Sequence, residues 1–142
     1  MIHNHYEDNV FTKILNGDLP AIKVFEDEKT FVMMDIMPQT KGHLLVLPKQ
    51  KAVNFFDISS DYLQACIDTA KKVAPALMAA TQADGMVLTQ FNGSTAGQTV
   101  FHIHFHLIPT YKDQSLKGHG REQADQEQLK ALAQEIIKNL DA

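Results

Sequence analysis

Gln98-Thr99-Val100-Phe101-His102-Ile103-His104-Phe105-His106-Leu107-Ile108-Pro109 is the stretch on which the reading of the chain turns. From Val100 to Ile108 it is rich in β-branched and aromatic residues, and Pro109 stops it, so a strand is predicted there. Successive side chains of a strand point to opposite faces. His102, His104 and His106 are therefore predicted on one face. Ile103, Phe105 and Leu107 are predicted on the other, buried. Imidazoles repeating every roughly 6–7 Å along one face repel each other when protonated, so such a row is a poor device for stability. Two chemistries fit it. In the first, a His-x-His pair chelates an ion, although three in line span about 13 Å, too far for one tetrahedral ion without a ligand from elsewhere. In the second, a neutral imidazole attacks an electrophile such as phosphorus, while its neighbours bind phosphoryl oxygens and protonate the leaving group.

The rest of the composition narrows the setting. The chain has 142 residues, enough for one domain with one core. A net charge of −4 argues against bulk nucleic-acid binding, which needs a basic face. A small phosphate-bearing ligand is not excluded, because a pocket sets its own local field. Cys66 is the only cysteine, so no intrachain disulfide is expected. No apolar run reaches membrane-spanning length, and the first residues lack the pattern of a signal peptide, so a cytoplasmic location is expected. Residues 1–8, with His3 and His5, are read as a flexible polar tail, and 9–142 as a single domain.

Along the chain, Asn9 is a helix cap for Val10 to Asn16, with Gly17 just past the end. Ile22 to Phe25 and Thr30 to Met34 are read as strands, Asp35 closing the second. Gly42 to Pro48 is a third strand, too apolar to be exposed. A long helix is expected from Ser59 or Ser60 to Thr81, with Leu63, Ile67, Ala70, Ala74, Leu77 and Met78 on its buried face and a kink or break at Pro75. Cys66 beside that stripe is read as packing. Met86 to Phe91 is a fourth strand, followed by a loop of small residues, Asn92 to Gln98, whose backbone N–H groups can approach a phosphate closely. Lys112, Lys117, His119 and Arg121 are read as a solvated polar stretch. The last helix spans Asp125 to Leu140, within an expected 125–140. Short connections between neighbouring strands favour antiparallel pairing, so the class is α+β with an antiparallel sheet.

His102-Ile103-His104-Phe105-His106-Leu107-Ile108 resembles the His-φ-His-φ-His-φ-φ signature (φ, apolar) of the histidine triad (HIT) superfamily. The likeness continues upstream. Phe11-Thr12-Lys13-Ile14, Phe25-Glu26-Asp27, Asp35-Ile36-Met37-Pro38-Gln39 and Gly42 to Lys49 look like the Hint branch, and Asn92-Gly93 and Gly97 to Val100 like its approach to the triad. The resemblance implies a HIT-like five-stranded antiparallel sheet with helices packed on it, usually as a homodimer. It implies hydrolysis or transfer at the α-phosphate of a purine nucleotide, with nucleoside phosphoramidates as the substrate type, through a covalent nucleotidyl-histidine. His104 would be the nucleophile, and His106 would contact the phosphate and assist the leaving group. His102 and His43 would hold tautomers and orientation. Asp35 would bind the ribose hydroxyls, and Phe11, Ile14 and Ile36 would wall the base pocket. Asn92, Gln98 and Thr99 would hold phosphate oxygens.

No cofactor is implied. Many bacterial members carry a Cys-x-x-Cys and a later His for a structural zinc, and here those positions are Asn9, Thr12 and Lys51, so no metal is expected. A C-terminal tryptophan found in some Hint members has no counterpart, since the chain contains no Trp. Within enzymes the competing activity is dinucleoside polyphosphate hydrolysis of the fragile-histidine type. Outside that chemistry the alternatives are a nucleotide-binding regulatory protein with incidental catalysis and a metal-dependent enzyme using His102 and His104. No nucleic acid and no membrane partner is expected.

Overall fold

The computed structural model describes residues 5–112, 114 and 122–141. Lys117, His119 and Arg121 of the polar stretch, and His3 of the tail, lie outside the described residues. Helix α1 is Val10–Leu15. It forms where it does because Asn9 and Thr12 cap it reciprocally. Asn9 Oδ1 accepts the N–H groups of Phe11 and Thr12, and Thr12 Oγ1 accepts the N–H of Asn9 at 3.0 Å. Three strands follow, β1 Lys23–Glu26, β2 Thr30–Met34 and β3 Leu44–Pro48. Helix α2, Ser60–Thr81, then leads to β4 Gly85–Thr89, β5 Phe105–Thr110 and helix α3 Gln126–Leu140. Among the described residues the strands form one antiparallel sheet in the order β1-β2-β3-β5-β4. The expected α+β class and element order both hold. None of the described helices is long and apolar enough to cross a membrane.

The sheet is covered on both faces, which is why β3 at its centre is a continuous apolar run rather than an alternating one. Val32, Met34, Leu44, Val46, Phe105 and Leu107 pack against Cys66, Val73 and Leu77 of α2 and Ala133 and Ile136 of α3. On the opposite face Phe31, Met33, Leu45 and Leu47 pack with Phe11 of α1. Ile103 is fully buried on the α2 side, as the alternation requires. His106 pairs in register with Leu45 and so shares the α1 face. Apolar burial on both sides thus holds the histidine-bearing segment against displacement in either direction.

Three expectations are corrected. First, the ladder begins at Phe105, not Val100, so His102 and His104 precede the regular strand. Their segment is held by a bond from the N–H of Ile103 to Ala52 O at 2.9 Å. Pro109 does not stop β5 but lies within it, opposite Met86. Its carbonyl accepts the Thr40 hydroxyl. Second, α2 runs through Pro75 as one helix. Pro75 is exposed, and so is Lys71, whose carbonyl loses its partner to the missing N–H, so the interruption falls on the solvent side of the helix. Third, the buried stripe of α2 is Cys66, Thr69, Ala70, Val73, Ala76, Leu77 and Thr81, while Ile67 is exposed. Hydrophobicity alone misplaces this face because it discounts Thr69, whose hydroxyl is satisfied by that of Thr30 at 2.7 Å. Cys66 is packing, as read, and burial pushes its thiol up to about 12.

Gly42 sets the approach of β3. Its φ is +95°, and a Cβ there would stand 2.7 Å from Thr81 Cγ2 and 3.1 Å from Pro109 Cγ. Gly42→Ala is expected to lower stability by about 1–3 kcal/mol, read as a fall in the urea unfolding midpoint.

Candidate active site

The α1 face of the sheet carries four buried imidazoles, His43, His102, His104 and His106. His43, His102 and His104 each have a hydrogen bond to backbone that identifies the tautomer, because a carbonyl can only accept and a backbone N–H can only donate, and His106 follows from His43. His102 Nε2–H donates to Pro48 O at 2.8 Å, so its Nδ1 carries a lone pair. That lone pair accepts the Tyr6 hydroxyl at 2.8 Å. His104 Nδ1–H donates to the carbonyl of His102 at 2.7 Å, which puts the lone pair of that ring on Nε2. His43 Nδ1 accepts the N–H of Gln39 at 3.0 Å, so His43 Nε2–H donates to His106 Nδ1 at 2.9 Å. His106 in turn has its proton on Nε2.

The rings are neighbours. His104 and His106 have centroids 4.9 Å apart, and His106 and His43 5.1 Å apart. The Phe11 ring stands edge-on to His104 at 4.9 Å and lies 6.4 Å from His102. A cavity of about 150 Å³ opens over His104 and His106, lined also by Gln39, Phe91, Gly97 and Thr99. Asp35 stands beside this group, with Oδ1 accepting the Met37 N–H at 2.8 Å and Oδ2 3.5 Å from His43 Nε2. Ile14 packs in the Phe11 cluster and Ile36 is exposed.

The small-residue loop is tied down from within. The Gln98 side chain is buried; its Nε2 donates to Val53 O at 2.7 Å and to Val100 O at 3.1 Å, and its Oε1 accepts the Gly93 N–H at 2.8 Å. This amide is engaged within the fold, whereas Thr99 lines the cavity. Asn92 Oδ1 accepts the N–H of Phe55 and Nε2 of Gln90, each at 2.8 Å.

Sequence reasoning missed Tyr6, Gln39 and Phe91. Tyr6 stands in the stretch read as a tail, and nothing in its neighbours pointed to His102. Gln39 sits in a matching block but makes its tautomer-setting contact through backbone, which a sequence does not spell. Phe91 was placed only as the end of a strand; its ring lies 5.2 Å from His106.

Asp35, His43 and His106 each offer an atom within 4.8 Å of the others, a spacing that could suit a metal ion. The His43 tautomer argues against it, because the nitrogen facing the other two is a donor. The zinc-type positions fit no better. Asn9 and Thr12 are committed to capping α1, and the Lys51 ammonium pairs with Asp8 at 3.1 Å.

Burial pushes the His102 imidazole down to about 4 from an ordinary 6.5, against the opposing pull of its bond to Pro48. The unfolded chain therefore takes up a proton near pH 6.5 that the folded chain refuses until about pH 4. Stability from this group is whole above that window and falls as pH drops through it, by on the order of 3 kcal/mol. Urea midpoints of the wild type should decline between about pH 7 and about pH 4.5, and His102→Gln should show a flatter dependence.

Comparison with known proteins agrees with this arrangement. The HIT domain family matches residues 16–113. Protein hit of Bacillus subtilis is 35% identical over 138 residues, covering 94% of this chain and 95% of that protein. An adenosine 5'-monophosphoramidase of Saccharomyces cerevisiae is 31% identical over 134 residues, covering 93% of this chain and 82% of the yeast protein. The crystal structure of a Hit-like protein from Bartonella henselae, described as involved in cell-cycle regulation, superposes with a TM-score of 0.89 at 36% identity, covering 95% of this chain and 99% of that one. Matching sequence over most of both lengths, matching architecture and three alternating histidines on one buried face lead to one conclusion: the chain belongs to the histidine triad (HIT) family.

Proposed function

We propose that this protein is a nucleotide hydrolase or transferase of the Hint branch, acting at the α-phosphate of purine nucleoside phosphoramidates through a nucleotidyl-histidine. The observation that carries the reading is the bond from His104 Nδ1–H to the His102 carbonyl, which leaves the lone pair on Nε2, beside the small cavity. The phosphoramidase names of the yeast relatives support the substrate type.

In the first half-reaction His104 Nε2 attacks phosphorus, a P–N bond to Nε2 forms, and the bond from phosphorus to the leaving amine breaks. The amine takes the proton of His106 Nε2–H, the nitrogen left protonated because Nδ1 accepts from His43. In the second, water attacks phosphorus, His106 recovers a proton from it, and the bond to His104 breaks to release the nucleoside monophosphate. Charge growing on the phosphoryl oxygens is met by donors placed in advance. Thr99 is one, and the amide hydrogens of Asn92, whose oxygen is already engaged, are another. Gln98 contributes by holding the loop that presents them. Phe11, Ile14 and Ile36 wall the base site, and the Asp35 carboxylate takes the ribose hydroxyls as an acceptor.

We also propose a homodimer formed through β4. This is an edge strand with Val87 37% and Leu88 48% exposed, and an uncovered apolar edge invites a second strand. Leu88→Glu is expected to shift the protein to half its mass in sedimentation equilibrium.

The catalytic test is His104→Ala with an adenosine phosphoramidate. Turnover should fall by about 10³-fold or more while nucleoside monophosphate binding survives, and mass spectrometry of the wild type with a slow substrate should place the added nucleotide on His104. Retained turnover would remove His104 from the mechanism. Faster cleavage of diadenosine polyphosphates than of the phosphoramidate would replace the substrate class.

A further inference from the structure

We infer that Tyr6 is a positioning residue for the triad: its hydroxyl, donated to His102 Nδ1, holds that ring in the orientation that aims His104. The inference rests on the reading of His104 as nucleophile, and its geometry stands independently. Three hydrogen bonds run in series with one sense. Thr12 Oγ1–H donates to Tyr6 Oη at 2.6 Å, Tyr6 O–H to His102 Nδ1 at 2.8 Å, and His102 Nε2–H to Pro48 O at 2.8 Å. The direction is forced at the far end, because Pro48 O has no proton to give. Thr12 Oγ1 in turn accepts the Asn9 N–H of the α1 cap, so the hydroxyl of Tyr6 is registered to the helix that carries Phe11.

His102 is fully buried, and among the described residues the Tyr6 hydroxyl is the group that meets its Nδ1, so losing that hydroxyl strips the nitrogen of its hydrogen bond. A buried nitrogen so deprived favours rotating the ring or moving its proton. Either change reaches His104, because the same residue's carbonyl accepts the His104 Nδ1 proton at 2.7 Å. The Tyr6 ring adds a packing restraint, standing edge-on to His102 with centroids 5.6 Å apart. Its segment is clipped to the body by the ion pair of Asp8 with Lys51, whose ammonium also lies 6.0 Å from the Tyr6 ring centre. Tyr6 is not among the residues that line the cavity, so its influence would pass through His102 and not through substrate.

The experiment is Tyr6→Phe, which keeps the ring and removes only the donor. On an adenosine phosphoramidate, kcat should fall about five- to a hundredfold, with KM held within about twofold. In a long-range proton–nitrogen spectrum of the substrate-free protein, the His102 Nδ1 resonance should move while the folded fingerprint is retained. Unchanged kcat, or a lowered kcat with His102 nitrogens unmoved, would overturn the inference. The spectrum reads the hydrogen bond without turnover. Should His104→Ala remain active, the functional reading falls on its own, and the His102 resonance still decides whether Tyr6 holds the ring.

Discussion

Four imidazoles buried on one face of a sheet would be a liability unless each nitrogen had a defined partner, and that requirement organises the rest of the molecule. A buried unpaired polar group costs about 1–3 kcal/mol. Among the described residues no buried side-chain nitrogen or oxygen lacks a partner. The partners are largely backbone: Pro48 O for His102, the His102 carbonyl for His104, the Gln39 N–H for His43. Backbone groups cannot change protonation state, so they fix the tautomers more firmly than side chains would. The last ring, His106, inherits its tautomer from His43.

The sheet is what brings these backbone groups into reach. Pro48 is the last residue of β3, and His43 stands just before its first, so the two ends of one strand serve two different histidines. Packing on both faces leaves that strand little freedom to slide, and its register with β5 places Leu45 opposite His106. Helix α1 then closes the histidine side, placing Phe11 edge-on to His104. The same burial that keeps water from the rings also keeps His102 neutral at ordinary pH.

Much of this was legible in the sequence. Alternation of His with Ile, Phe and Leu separates the two faces whether or not the ladder includes every residue, so the grouping of the histidines survives the late start of β5. The cap at Asn9, and the choice between Ser59 and Ser60 that falls on Ser59, mark two helix starts because their side-chain oxygens bond the first free N–H groups. What could not be read falls into two kinds. One is polar residues that behave as core once paired, such as Thr69 with Thr30, which rotated the buried face of α2. The other is contacts between distant segments: Tyr6 and His102 are 96 positions apart, and a composition that looks like a loose end carries no mark of its partner.

The ties made by Gln98 and Asn92 have a further consequence. The loop between β4 and β5 is bonded to the turn at Val53 and Phe55, which follows β3 and not the edge strand that leads into the loop. Strand β4 is wetted along its outer side and is the part of the sheet most open to fraying. Anchoring the loop there gives it a second support: its position rests on the turn at Val53 and Phe55 as well as on the strand that leads into it.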